Sequence, residues 1–130
     1  MILDTSFLID VMNSDSDALE KVDELESNGH AQKIPAMTLQ ELFIGIGASD
    51  LPKSEREKIE AVIEPRPVLE TTEAIARKAG LIDGTLRRDG NRIDIGDATI
   101  GATALREDEP VVTGNSEHFE RIDGIDVESY

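Results

Sequence analysis

Apolar residues occur along this chain in short runs that alternate with longer stretches of helical spacing. Met1 to Leu3 is a brief apolar run ending at Asp4, and the TSFLIDVM that follows has helical periodicity, which predicts a buried strand feeding a helix. Between Ser14 and Asn28, the residues Ala18, Leu19, Val22 and Leu25 recur at helical intervals, and Asn28-Gly29 supplies a C-cap. Lys33 to Met37 predicts a short strand that Pro35 places at an end or an edge. Thr38 then opens a helix with Leu39, Leu42, Phe43 and Ile46 on one face and Gly45 and Gly47 in its tail. Further helices are predicted over Pro52 to Ile63, Thr71 to Arg88 and Ile93 to Leu105, with a turn at Asp89-Gly90-Asn91 and a helical turn at Glu117 to Phe119. Strands are predicted over Pro67 to Leu69, Pro110 to Thr113 and Ile125 to Val127. Strands and helices thus alternate throughout, with no repeat or linker. The pattern predicts an α/β fold, a single domain over residues 1–130 with a mostly parallel central sheet flanked by helices on both faces.

Composition narrows the chemistry. A chain of 130 residues can bury a real core without staples. Absence of cysteine excludes disulfides, thiolate zinc sites and a cysteine nucleophile, and points to a reducing cytoplasm. The first residues carry no basic leader segment, and no apolar run approaches the ~20 residues of a membrane span, so a soluble cytoplasmic protein is expected. Asp and Glu number 28 against 13 Lys and Arg, a formal net charge of -15. Such a field repels nucleic acid at long range. A nuclease is compatible with it if the acidic excess is a solvated face away from the site, or if the protein works in concentrated salt, where the Debye length falls to ~3 Å. Few lysines, many acids and small apolar residues in place of aromatics suit a salt-loving host.

In open parallel sheets ligands bind beyond the carboxyl ends of the strands, which is where Asp4, Thr38 with Glu41, and Thr113 with Asn115 fall. Hydrolysis of a phosphodiester at neutral pH calls for a hard cation. Magnesium takes oxygen ligands and keeps several waters, so one or two direct carboxylates suffice, with others reached through water. Asp4, Glu41, Asp94 and Asp97 are the candidate set. Each also has a local alternative. Asp4 can cap the helix after it, Thr38-x-x-Glu41 fits a capping box, Asp94 suits an N-cap with Asp97 in the first turn, and Asn115-Ser116 suits another cap. Asp97 stands among Ile93, Ile100, Gly101 and Ala104 at i-4, i+3, i+4 and i+7, which turns it inward. A carboxylate there needs a cation, a donor network or a raised pKa. Glu41 lies off the apolar face of its own helix.

These residues carry a family resemblance along the whole chain. Leu3-Asp4-Thr5-Ser6, Thr38-Leu39-Gln40-Glu41-Leu42 with Gly45, Asp97 to Leu105, and Val111 to Asn115 with His118-Phe119 together resemble a PIN domain, most closely the VapC-like toxins of toxin-antitoxin pairs. The resemblance implies a Rossmann-like sheet with acids gathered at one edge, magnesium or manganese, and endonucleolytic cleavage of RNA by metal-activated water. Asp4 and Asp97 are then the metal ligands. Glu41 and Asp94 complete the pocket through water or orient the nucleophile, and Thr5, Ser6, Thr113 and Asn115 are supporting hydrogen bonders. Some relatives carry Asp where Asn115 stands, which puts a second metal in doubt. A cognate antitoxin and a homodimer are the implied partners.

Other features refine the picture. His30 and His118 are far apart in sequence, which argues against a histidine-based site, and His118 is expected to pack beside Phe119. Arg87, Arg88 and Arg92 form the densest basic patch and are candidate RNA phosphate contacts or, equally, ordinary solvated residues near a helix end. Phe43, Ile44, Leu51, Ile59, Val62 and Ile63 offer either core packing or a dimer face. The readings left by the sequence are a toxin endoribonuclease, a housekeeping PIN nuclease of RNA maturation or decay, and, more remotely, a metal-holding module that does not cleave.

Overall fold

The computed structural model describes residues 1–130. Five short strands, β1 (Ile2–Leu3), β2 (Ile34–Pro35), β3 (Val68–Leu69), β4 (Val111–Val112) and β5 (Val127–Glu128), alternate with helices. The helices are α1 (Thr5–Met12), α2 (Ser16–Ser27), α3 (Ala36–Ala48), α4 (Pro52–Ile63), α5 (Glu73–Arg88), α6 (Ile95–Glu107) and α7 (Ser116–Glu120). Every element expected from the hydrophobic pattern is present, with ends shifted by a few residues. Both predicted turns carry glycine at positive φ, +71° at Gly29 and +75° at Gly90, a conformation that a Cβ disfavours.

All strand pairs are parallel. β4 lies between β1 and β5, and β2 pairs with β3. A bridge between Ile2 and Lys33 joins the two groups, the Leu3 amide donating to the Lys33 carbonyl and the Lys33 amide to that of Met1, each at 2.9 Å. The spatial order is therefore β3-β2-β1-β4-β5. The chain winds outward from β1 through β2 to β3, then crosses back to β4 and β5. The order reverses between β1 and β4, whose carboxyl ends open onto the crevice where such sheets bind ligands.

Alternation along the strands splits the core in two. Leu3 and Val112 face a cluster with Phe7, Leu8, Ala18, Leu25, Leu42, Ile59 and Val62, while Ile2 and Val111 face Leu86, Ile93, Ala98, Ile100, Ala104, Phe119 and Ile122. Helices α1 to α4 thus cover one face and α5 to α7 the other. Helix α6 is buried almost all round, Ala98 to Ala104 without a break, rather than along the single stripe its sequence suggests. Its small residues permit this, since a Cβ on Gly101 would come within 2.5 Å of Ile122.

The start of α3 departs from the sequence reading. The helix opens at Ala36, directly after Pro35, so Thr38 is its third residue and forms no capping box with Glu41. The reason lies in the β1–β2 ladder. After the Leu3-to-Lys33 bond, the next donor in a parallel ladder is the amide of residue 35, and proline has none. The fully buried Thr38 hydroxyl takes its place, donating to the Leu3 carbonyl at 3.0 Å. Pro35 ends an interior strand because a side chain replaces its missing N–H.

No helix is long and apolar enough to cross a membrane.

Candidate active site

The acids expected from the sequence arrive from three elements. Asp4 follows β1, Glu41 is on α3, and Asp94 and Asp97 bracket the first turn of α6. Asp4 and Asp94 both occupy N-cap positions with extended backbone, yet neither side chain makes a capping hydrogen bond. Both carboxylates are released from the local role that their positions offered. Asn115 likewise sits at the N-cap of α7 without capping it.

Asp4 is 4% exposed and is held by hydroxyls. Ser6 donates to its Oδ2 at 2.8 Å and Thr113 at 2.7 Å. Each hydroxyl has one proton and sends it to Asp4, so the 3.2 Å contact between the two oxygens holds none of its own. Thr113 accepts from the Asn115 amide, and Ser6 from that of Gly114. The loop after β4 is thereby pinned to the end of β1, and Asp4 Oδ1 is left outside this network. Tyr130 braces the same loop: its hydroxyl donates to Asp10, and a Cβ on Gly114 would come within 2.6 Å of it.

Glu41 reaches across to α1, where the Thr5 hydroxyl donates to its Oε1 at 2.7 Å. Its other oxygen lies over Gly96, where a Cβ would approach to 2.8 Å. Burial pushes the Glu41 carboxyl above its ordinary range; Thr5 opposes this, and the charges of Asp4, Asp97 and Asp94 add to it. Asp97 is raised in the same way, by burial first, with Asp4 and Asp94 adding and His118 opposing. Glu41 thus lies in the field of the other three acids, and Asp97 in those of Asp4 and Asp94. A cation is the species such a cluster favours.

The donor set suits a hard divalent ion. It is all oxygen, and no three of the chain's Asp, Glu and His side chains form a cage able to hold a metal ion by themselves. Zinc would want such a cage, whereas magnesium or manganese keeps its waters and needs one or two carboxylates. Asp4 is the most fixed of the four, with two hydroxyls donating to one of its oxygens.

Two contributors escaped the sequence reading. His118 does not pack beside Phe119, which is fully buried; it turns the other way, with Nδ1 at 3.1 Å from Asp97 Oδ2 and 2.9 Å from the Asn115 amide. The signal for it was its spacing of three from Asn115, which puts both on one helical face. Gly96 was passed over because a glycine offers no group to notice. The arginines stand apart from the acid network. Arg87 pairs with Asp83 at 3.0 Å and Arg88 with Asp89 at 3.4 Å, and the Arg92 carbonyl accepts from Arg121.

The PIN domain pattern matches residues 1–125. The tRNA(fMet)-specific endonuclease VapC of Shigella flexneri is 31% identical over 97 residues, 75% of this chain and 74% of that protein. DNA-bound VapBC from Salmonella typhimurium superposes with a TM-score of 0.86 at 29% identity, covering 98% of this chain and 96% of the other. VapBC2 from Rickettsia felis, solved with a DNA fragment from its promoter, reaches a TM-score of 0.90 at 21% identity, covering 99% and 97%.

Proposed function

The chain belongs to the PIN domain family, and on that premise we propose that it is a magnesium- or manganese-dependent endoribonuclease, the toxin of a toxin-antitoxin pair. The observation that carries this reading is the meeting of Asp4, Glu41, Asp94 and Asp97 from three elements at the carboxyl edge of the sheet, with burial and mutual repulsion raising Glu41 and Asp97. The likeness to a tRNA-specific endonuclease and to VapBC complexes supports the substrate class and a cognate antitoxin as partner. Residues 1–130 form one such domain in this reading.

Asp4 and Asp97 would hold the cation, which would polarise the phosphoryl oxygen and make water a better nucleophile. Ser6 and Thr113 fix Asp4 through Oδ2, which leaves Oδ1 outside their hydrogen bonds. Thr5 anchors one oxygen of Glu41, and the raised carboxyl is suited to take a proton from the attacking water at the other. Asp94 is exposed at the rim and acts through water or through charge alone. Asn115 is read as a side-chain support, and Arg87, Arg88 and Arg92 as RNA phosphate contacts outside the acid pocket.

Purified protein should cleave RNA with magnesium and fail with EDTA. Asp4→Asn and Asp97→Asn should each lower the rate by about 100-fold or more. Normal cleavage by both variants sinks the assignment. Sequencing RNA ends after brief expression, with Asp97→Asn as control, identifies the substrate. Growth arrest relieved by co-expressing the neighbouring small gene separates a toxin from a housekeeping nuclease.

A further inference from the structure

We infer that His118 is a positioning residue for the cation site, holding Asp97 in its ligating orientation through a hydrogen bond from Nδ1. The inference rests on the reading that Asp97 is a metal ligand. Three observations bear on it. The Nδ1 atom lies 3.1 Å from Asp97 Oδ2, and 2.9 Å from the terminal amide of Asn115. A single ring nitrogen cannot accept from an amide while it donates to a carboxylate. Both contacts are satisfied when Nδ1 carries the proton and the Asn115 amide presents its oxygen, an orientation consistent with the same heavy atoms. In that orientation Nδ1 faces two acceptors.

Asp97 is 14% exposed and has no other hydrogen bond from a side chain, whereas His118 is 35% exposed and contributes little to the core. The contact also closes a circuit. From Asp97 it runs through His118 to the Asn115 side chain, from the Asn115 backbone N–H to Thr113, and from the Thr113 hydroxyl to Asp4. The two proposed ligands, brought together from opposite ends of the chain, are thereby coupled through one loop. Outer partners of this kind fix a ligand's rotamer, and their loss typically weakens metal binding by about 10- to 100-fold.

The test is manganese affinity, measured by titration calorimetry on wild type, Asp97→Asn, His118→Leu and His118→Asn, with Tm recorded for each. Asparagine places its amide N–H where Nδ1 stands, so it restores the donor without the ring. The expected result is at least about tenfold weaker binding in His118→Leu, recovery in His118→Asn, and unchanged Tm in both. Wild-type affinity in His118→Leu, or a loss that asparagine does not recover, overturns the role of His118 while leaving Asp97 as a ligand. Wild-type affinity in Asp97→Asn overturns both.

Discussion

Residue chemistry at the acid cluster works against the fold that holds it. Glu41 is raised above its ordinary value of 4.5, so the folded state binds its proton more tightly than the unfolded state does. The stability cost is therefore absent below that pH, grows as pH rises, and is complete above the folded value. Glu41→Gln removes it. In EDTA at neutral pH this variant should melt above wild type, and the gain should shrink as the pH falls toward the ordinary carboxylate range, as calorimetry across pH can check. A lower Tm at neutral pH would mean that Glu41 is stabilised by something other than a cation. Gly96→Ala probes the same residue from beneath. The added methyl meets only the far end of the Glu41 side chain, so stability should hold while cleavage falls about tenfold or more as the carboxylate is displaced.

Among the elements, the β2–α3 junction is the one where a single side chain completes the sheet. Thr38 supplies the donor that Pro35 cannot, inside a fully buried site. Thr38→Val keeps the shape and orphans the Leu3 carbonyl, which should cost about 1–3 kcal/mol in urea unfolding, with Thr38→Ser recovering most of it. Because Leu3 precedes Asp4, cleavage should fall too. The α3–α4 pair raises a different question. Leu42, Ile59 and Val62 are spent on the core, and Phe43 and Ile63 pack against it, but Ile44 and Leu51 remain 61% and 69% exposed. The apolar surplus is thus smaller than the sequence implied. If those two residues seat a second copy, Ile44→Asp should convert a dimeric mass in light scattering to a monomeric one; a monomeric wild type refutes the dimer.

For the molecule as a whole, the net charge of -15 is the dominant electrostatic fact. The basic residues are largely engaged in pairs, as in Lys33 with Glu109 and Lys21 with Glu128 and Glu24, which leaves the acidic excess to repel itself. Raising KCl from about 0.1 M to about 1 M shortens the Debye length from ~10 Å to ~3 Å. Tm should rise by several degrees over that interval, and RNA cleavage should be retained rather than lost. A flat or falling Tm would remove the case for a protein adapted to concentrated salt.

What the sequence determined by itself was the alternation of strands and helices, because hydrophobic period is a local property that each segment carries with it. It also singled out Asp97, since a carboxylate at helical spacing from Ile93, Ile100, Gly101 and Ala104 is visible within one segment of the chain. What only the tertiary structure decided was which polar side chains serve local geometry and which turn away from it. Asp4, Asp94 and Asn115 all stand at helix starts where a cap was the simplest use. Asp4 instead takes hydrogen bonds from Ser6, two residues on, and from Thr113, which the pairing of β1 with β4 brings near from 109 residues away, while Asn115 meets His118, whose ring reaches back 21 residues to Asp97. Thr38 was misplaced for the same reason: the acceptor it satisfies lies 35 residues away, and no local pattern records that a proline opposite has left it unbonded.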